Sequence, residues 1–284
     1  MKCIKINYVP KCDCPPGVSP RLALLKHTWQ YTTTLQMRNV KLIVASPNPS
    51  PRDDIYQNII VILTGLLPQS KCFADIQITI LLTDHKKILP VYGVLDRDNV
   101  NTGYSRKCVE IVVYREEEWR KVFIHECFHF LGFDNGLDGH TVIDIFPFPK
   151  VDLRETFCEV WARLINCAIA GDVANCIERE RHWACYQMVK VLDYNGLTYA
   201  DLLQKRNLYL YRENTNVFAY IVLSAILLQD ATQFLEWSKT LNAPNGLPNL
   251  IRKLFKTPTF LANVAAAEIE FRNTHDNTMR MSCV

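Results

Sequence analysis

The stretch Val122-Phe-Ile-His-Glu-Cys-Phe-His-Phe-Leu-Gly132 is the most informative segment of the chain. Its apolar residues Val122, Phe123, Phe130 and Leu131, together with Trp119, recur near helical spacing. Gly132 is a natural stop, because glycine readily takes the left-handed conformation that ends helices. His125 and His129 lie four residues apart and therefore share a helix face, where both imidazoles can offer a nitrogen to one zinc ion. Glu126, beside the first histidine, can reach the solvent side of that ion. A carboxylate there takes the proton from a water whose pKa zinc has lowered towards ~7. A helix this apolar is expected to be buried, and burying two imidazoles and a carboxylate without a partner is costly. A cation removes that cost, which weighs against a chance occurrence of the pattern.

A catalytic zinc usually has three protein ligands. The expected third is Glu155, which opens the next helical pattern after a turn-rich loop and so can return to the metal. Glu159 sits one helical turn further on the same face and is expected to hydrogen-bond the far nitrogen of a ligand histidine. The competing role for either glutamate is a salt bridge to Arg154 or Arg163. Asp134 and His140 are fallback ligands. Asn135 stands where an H-x-x-G-x-x-H extension of the motif would place a histidine, and asparagine is a poor zinc ligand. Asn101 is a candidate for bonding a substrate carbonyl, against a plain loop role. Tyr209, Tyr211, Tyr220, His182 and Arg212 are candidates for holding an oxyanion.

Around the motif the pattern changes character. Upstream, Val40–Ala45, Ile76–Leu82, 88–95 and Val109–Tyr114 are β-branched and read as strands, with Asp53–Leu67 as a helix between the first two. The first twenty residues carry four prolines and three cysteines and read as an irregular arm, followed by a short helix near 21–31. Glu116-Glu-Glu118 is expected in the first turn of the motif helix, where acids suit the macrodipole. Downstream the pattern is almost purely helical: Leu153–Ala170, Val173–Leu192, 199–205, 216–229, 231–241, 249–255 and 258–270. The expected architecture is α+β, with a mixed β-sheet and the motif helix in residues 1–135 and a mainly helical 136–284 that carries the third ligand.

The 284 residues hold 32 basic and 29 acidic side chains, a balance without a basic stripe, so no nucleic-acid partner is expected. No apolar run reaches the ~20 residues of a bilayer span, and no membrane span is expected. Eleven cysteines, an odd count, several of them inside apolar helical stretches, suggest thiols in a reducing compartment without structural disulfides.

With His125-Glu-Cys-Phe-His129 followed by Glu155-Thr-Phe-Cys-Glu159, the chain resembles the gluzincin metallopeptidases, which pair H-E-x-x-H with a helix carrying E-x-x-x-D/E. The resemblance implies a zincin-like fold, His125, His129 and Glu155 as Zn2+ ligands, Glu126 as general base and Glu159 as the outer acid, where aspartate is commoner. Asn101-Thr-Gly-Tyr104, Tyr114–Trp119, the motif helix and Glu155–Trp161 are also similar to uncharacterised metallopeptidase-like proteins of large DNA viruses. The implied activity is hydrolysis of peptide bonds in a peptide or protein substrate, by zinc-bound water with a glutamate base. The implied setting is intracellular and reducing: host cytoplasm, or the virion if the chain is viral. The alternative is a catalytically inactive zincin-fold scaffold that binds protein.

Overall fold

The computed structural model describes residues 3–5, 31–37, 40–47, 53–69, 75–137, 144–146, 148, 151–239 and 246–284. Contacts divide the chain into two compact units: Met1–Lys87 with Asn101–Asp134, and Ile88–Val100 with Asn135–Val284. The architecture is mixed α/β.

The first unit is built on a mixed sheet of order β1 (Cys3–Lys5), β2 (Tyr31–Met37), β3 (Val40–Ser46), β4 (Ile76–Leu81), β6 (Glu110–Val113), β5 (Gly103–Arg106). β3, β4 and β6 run parallel; the other pairs are antiparallel. The parallel centre demands crossovers, and α1 (Asp53–Leu66) supplies the first. In β4, Ile76, Ile78, Thr79, Ile80 and Leu81 are all buried. Burial on both faces explains why the strand reads as a nearly continuous apolar run.

α2 (Trp119–Leu131) carries the motif, and only Trp119, Arg120 and His129 along it are even half-exposed. The helix begins after the three acids rather than on them. Glu118 is the N-cap, in the left-handed region at φ 57°, and its side chain does not cap the helix. Instead its carboxylate turns to the ammonium of Lys87, 2.8 Å away, with both side chains fully buried. The same loop after β4 gives the Lys87 N–H to Glu117 at 2.7 Å and receives the Glu116 N–H at the Thr83 carbonyl. The entry to α2 is thus latched to the end of the sheet's central strand.

In the second unit, α3 (Leu153–Ala170), α4 (Val173–Tyr194), α5 (Tyr199–Gln204), a π-helical stretch Phe218–Leu223 leading into α6 (Ser224–Leu228), α7 (Ala231–Ser238), α8 (Gly246–Leu254) and α9 (Pro258–Thr274) follow in order. Among the described residues, no single helix is long and apolar enough to cross a membrane.

Three expectations need correction. Residues 88–95 form no strand and belong to the helical unit. Ile88 bridges Thr278, Leu95 bridges Glu213, and the Tyr194 hydroxyl donates to the Gly93 carbonyl at 3.0 Å. Cys3–Lys5 is a strand within the expected irregular arm; the short helix expected near 21–31 lies outside the described residues, except that Tyr31 opens β2. Cys167 and Cys176 are joined as a disulfide across the turn from α3 to α4, and Cys108 is also disulfide-bonded, whereas Cys127, Cys158 and Cys185 are buried thiols. The turn at Gly171, with φ 110°, brings the first pair to a Cα separation of 5.4 Å, within the usual range for a disulfide.

Burial pushes the Lys87 ammonium down to about 8, against the opposing pull of Glu118. Replacing Lys87 with Met should cost about 3–5 kcal/mol in urea unfolding, because the buried Glu118 carboxylate loses its ion pair with Lys87. The folded chain binds the Lys87 proton less tightly than the unfolded chain. The unfolded state therefore holds more protons between the two pKa values, and stability rises with pH through that window. The advantage of the wild type over Lys87→Met should accordingly widen between pH 8 and 10.

Candidate metal centre

The centre begins with helix geometry. Four-residue spacing on α2 brings the Nε2 atoms of His125 and His129 to 3.1 Å, with ring centroids 4.9 Å apart. The second ring is oriented by the chain beyond the helix. Gly132 adopts φ 73°, its N–H donating to the His129 carbonyl, and the Phe133 N–H donates to the Phe128 carbonyl at 3.0 Å. This tight reversal folds the chain back over the last turn, and the Asp134 carboxylate meets His129 Nδ1 at 2.8 Å. A carboxylate accepts, so Nδ1 carries a proton, and in the neutral ring Nε2 then presents its lone pair. That is the arrangement metal-ligating histidines use, with the far nitrogen held by an acid.

The facing nitrogens limit the possible states. With a lone pair on His129 Nε2, His125 Nε2 either donates its own proton across the 3.1 Å gap or turns a second lone pair towards the first. The second state is repulsive unless a cation lies between or beside them. The donor chemistry fits a divalent ion such as zinc, which takes two neutral imidazoles readily. Cys127 is not part of this face: it is fully buried, and burial, with the Glu126 charge acting in the same sense, pushes its thiol well up.

Glu126 is 8% exposed, and its Oε2 accepts from the Ser105 hydroxyl at 2.8 Å. Asn101 is half-buried at the approach to β5, and its Oδ1 is buried with no hydrogen-bond partner among the described residues. His125, Glu126, His129, Asp134 and Asn101 all belong to the first unit.

Glu155 and Glu159 belong to the second unit, on α3. Glu155 lies in the helix's first turn, half-buried, and its Oε1 accepts from the Asn216 side-chain amide at 3.3 Å. Glu159 pairs with Arg163 at 2.9 Å, both essentially fully buried, so the salt bridge weighed against its metal role is present. The acid held against a motif histidine within the first unit is Asp134, which the sequence suggested only as a fallback ligand. His140 lies outside the described residues.

Among the oxyanion candidates, Tyr209 is 77% exposed and Tyr220 is buried in the π-helical stretch. His182 pairs with Glu270 on the surface. Tyr211 donates to Glu213 at 2.6 Å, and burial raises its pKa well above the usual value. Tyr211, Arg212 and Asn216 line a cavity of about 420 Å3 with Phe148 and Phe218.

Ser105 and Asn216 were invisible in the sequence, since neither occupies a motif position. Their significance comes only from the side chains they meet. No family model, curated protein or solved structure matches this chain. The centre must therefore be understood from its own chemistry.

Removing the Asp134 carboxylate frees the His129 tautomer. Asp134→Ala should weaken zinc binding about 10–100-fold in a chelator competition while leaving the circular dichroism spectrum unchanged.

Proposed function

We propose that this chain is a zinc-dependent metallopeptidase with a zincin-like first unit. One observation carries the reading: two imidazoles face each other through Nε2, one locked by Asp134 into the ligand tautomer, with a glutamate on the same helix beside them. Glu155 is the proposed third ligand, for which its place at the head of the E-x-x-x-E pattern in the first turn of α3 speaks. In this role His125, His129 and Glu155 would hold the ion. A bound zinc supplies a Lewis acid that acidifies water and polarises the scissile carbonyl.

The remaining work falls to the protein. Glu126 takes a proton from the attacking water and returns it to the departing amine. Its burial keeps that transfer out of bulk solvent. β5 is an edge strand in the sheet order and lies against α2, a position suited to pairing with an extended peptide by main-chain hydrogen bonds. Asn101, two residues before β5, is the proposed donor of a side-chain amide to a carbonyl of that peptide. Glu159 is assigned to stabilising α3 through Arg163, with the outer-acid role passing to Asp134.

The second reading, an inactive zincin-fold scaffold, is favoured by one feature: Glu126 is nearly buried and already bonded to Ser105. The two readings part on a single substitution. Glu126→Gln should retain stoichiometric zinc and lose at least about 100-fold in cleavage of a mixed peptide library, and Glu155→Ala should lose most of its zinc. Undiminished cleavage by Glu126→Gln removes the proposed base. A wild-type chain that binds zinc and cleaves nothing leaves the scaffold.

A further inference from the structure

The Ser105–Glu126 contact is the least expected feature of the first unit, and the strand that carries it is shaped to make it. Alternate residues of a strand face opposite sides. Tyr104 packs against the cluster of Ala45, Leu81, Val112 and Tyr114, while Gly103 and Ser105, on the other side, face α2. A Cβ at Gly103 would lie 2.8 Å from the Val112 carbonyl oxygen, 3.0 Å from Val122 Cγ1 and 3.2 Å from Glu126 Cγ. Only the missing side chain lets the strand run this close to the helix at the level of Glu126. Two residues on, the approach places the Ser105 hydroxyl 2.8 Å from Glu126 Oε2.

A glutamate side chain has three rotatable bonds, and a proton carrier must hold one geometry to be effective. A hydroxyl donating to one carboxylate oxygen restricts the rotation of the group and fixes its plane. We propose that Ser105 is a positioning residue for Glu126, anchoring Oε2 and so holding the carboxylate in the orientation in which it acts. This rests on the reading of Glu126 as the base. It assigns β5 a part in the chemistry besides its place at the sheet edge.

The test uses the full chain loaded with cobalt(II), whose visible absorption reports the surroundings of the bound ion, beside zinc-loaded protein assayed on a peptide library. Ser105→Ala should bind one cobalt per chain as the wild type does and show an altered visible spectrum that moves towards that of Glu126→Gln. Its kcat should fall about 10-fold with KM within about 2-fold. Ser105→Thr, which keeps the hydroxyl, should restore both. A Ser105→Ala protein with wild-type spectrum and kcat overturns the proposal. So does one that loses cobalt binding, since that marks a merely structural role. If the wild type cleaves no peptide but the spectra change as stated, the positioning role stands and the peptidase reading falls. If the wild type takes up no cobalt, both fall.

Discussion

Two imidazole nitrogens 3.1 Å apart cannot both carry a proton towards each other. This constraint organises the first unit. Asp134 holds a His129 proton on Nδ1, and the two facing Nε2 atoms either share a single proton between them or give it up to a cation. That hold depends on backbone geometry: Gly132 ends α2 in a left-handed turn that returns Asp134 to the face it has just left. A residue with a Cβ at Gly132 would strain that reversal and loosen the ring it orients.

The rest of the unit holds α2 where its polar groups can be satisfied. The helix is buried almost all round, yet it carries or abuts Glu118, His125, Glu126 and His129. Each meets a partner close at hand or from another segment: Lys87 beyond β4, the neighbouring ring, Ser105 on β5, Asp134 beyond the helix end. Buried polar groups arranged in this way are expensive to misplace, so they specify one position for the helix more sharply than apolar packing alone.

The elements were legible where local chemistry decides them. β4 announces itself as a β-branched run, and α3 begins at Leu153 and ends at Ala170 as its apolar spacing suggests. The motif's helical spacing and its Gly132 stop were likewise readable, because both act within a few residues. What could not be read depends on distant partners. Residues 88–95 have strand composition, but their bridges reach Glu213 and Thr278, so they join the helical unit. Glu118 looks like a first-turn acid, but Lys87 draws its carboxylate away from the helix axis. The Cys167–Cys176 link is set by the Gly171 turn rather than by cysteine count. Within the site, Asp134 was visible only as a generic acid, and Ser105 not at all.

Anomalous diffraction at the zinc edge, from crystals of the zinc-loaded chain, tests the central claim most directly. The account predicts one strong peak about 2.0–2.1 Å from Nε2 of both His125 and His129 and about 2.0–2.2 Å from a carboxylate oxygen of Glu155. Zinc held elsewhere, or Nε2 atoms that still face each other in the loaded crystal with no ion bound to both, would contradict it.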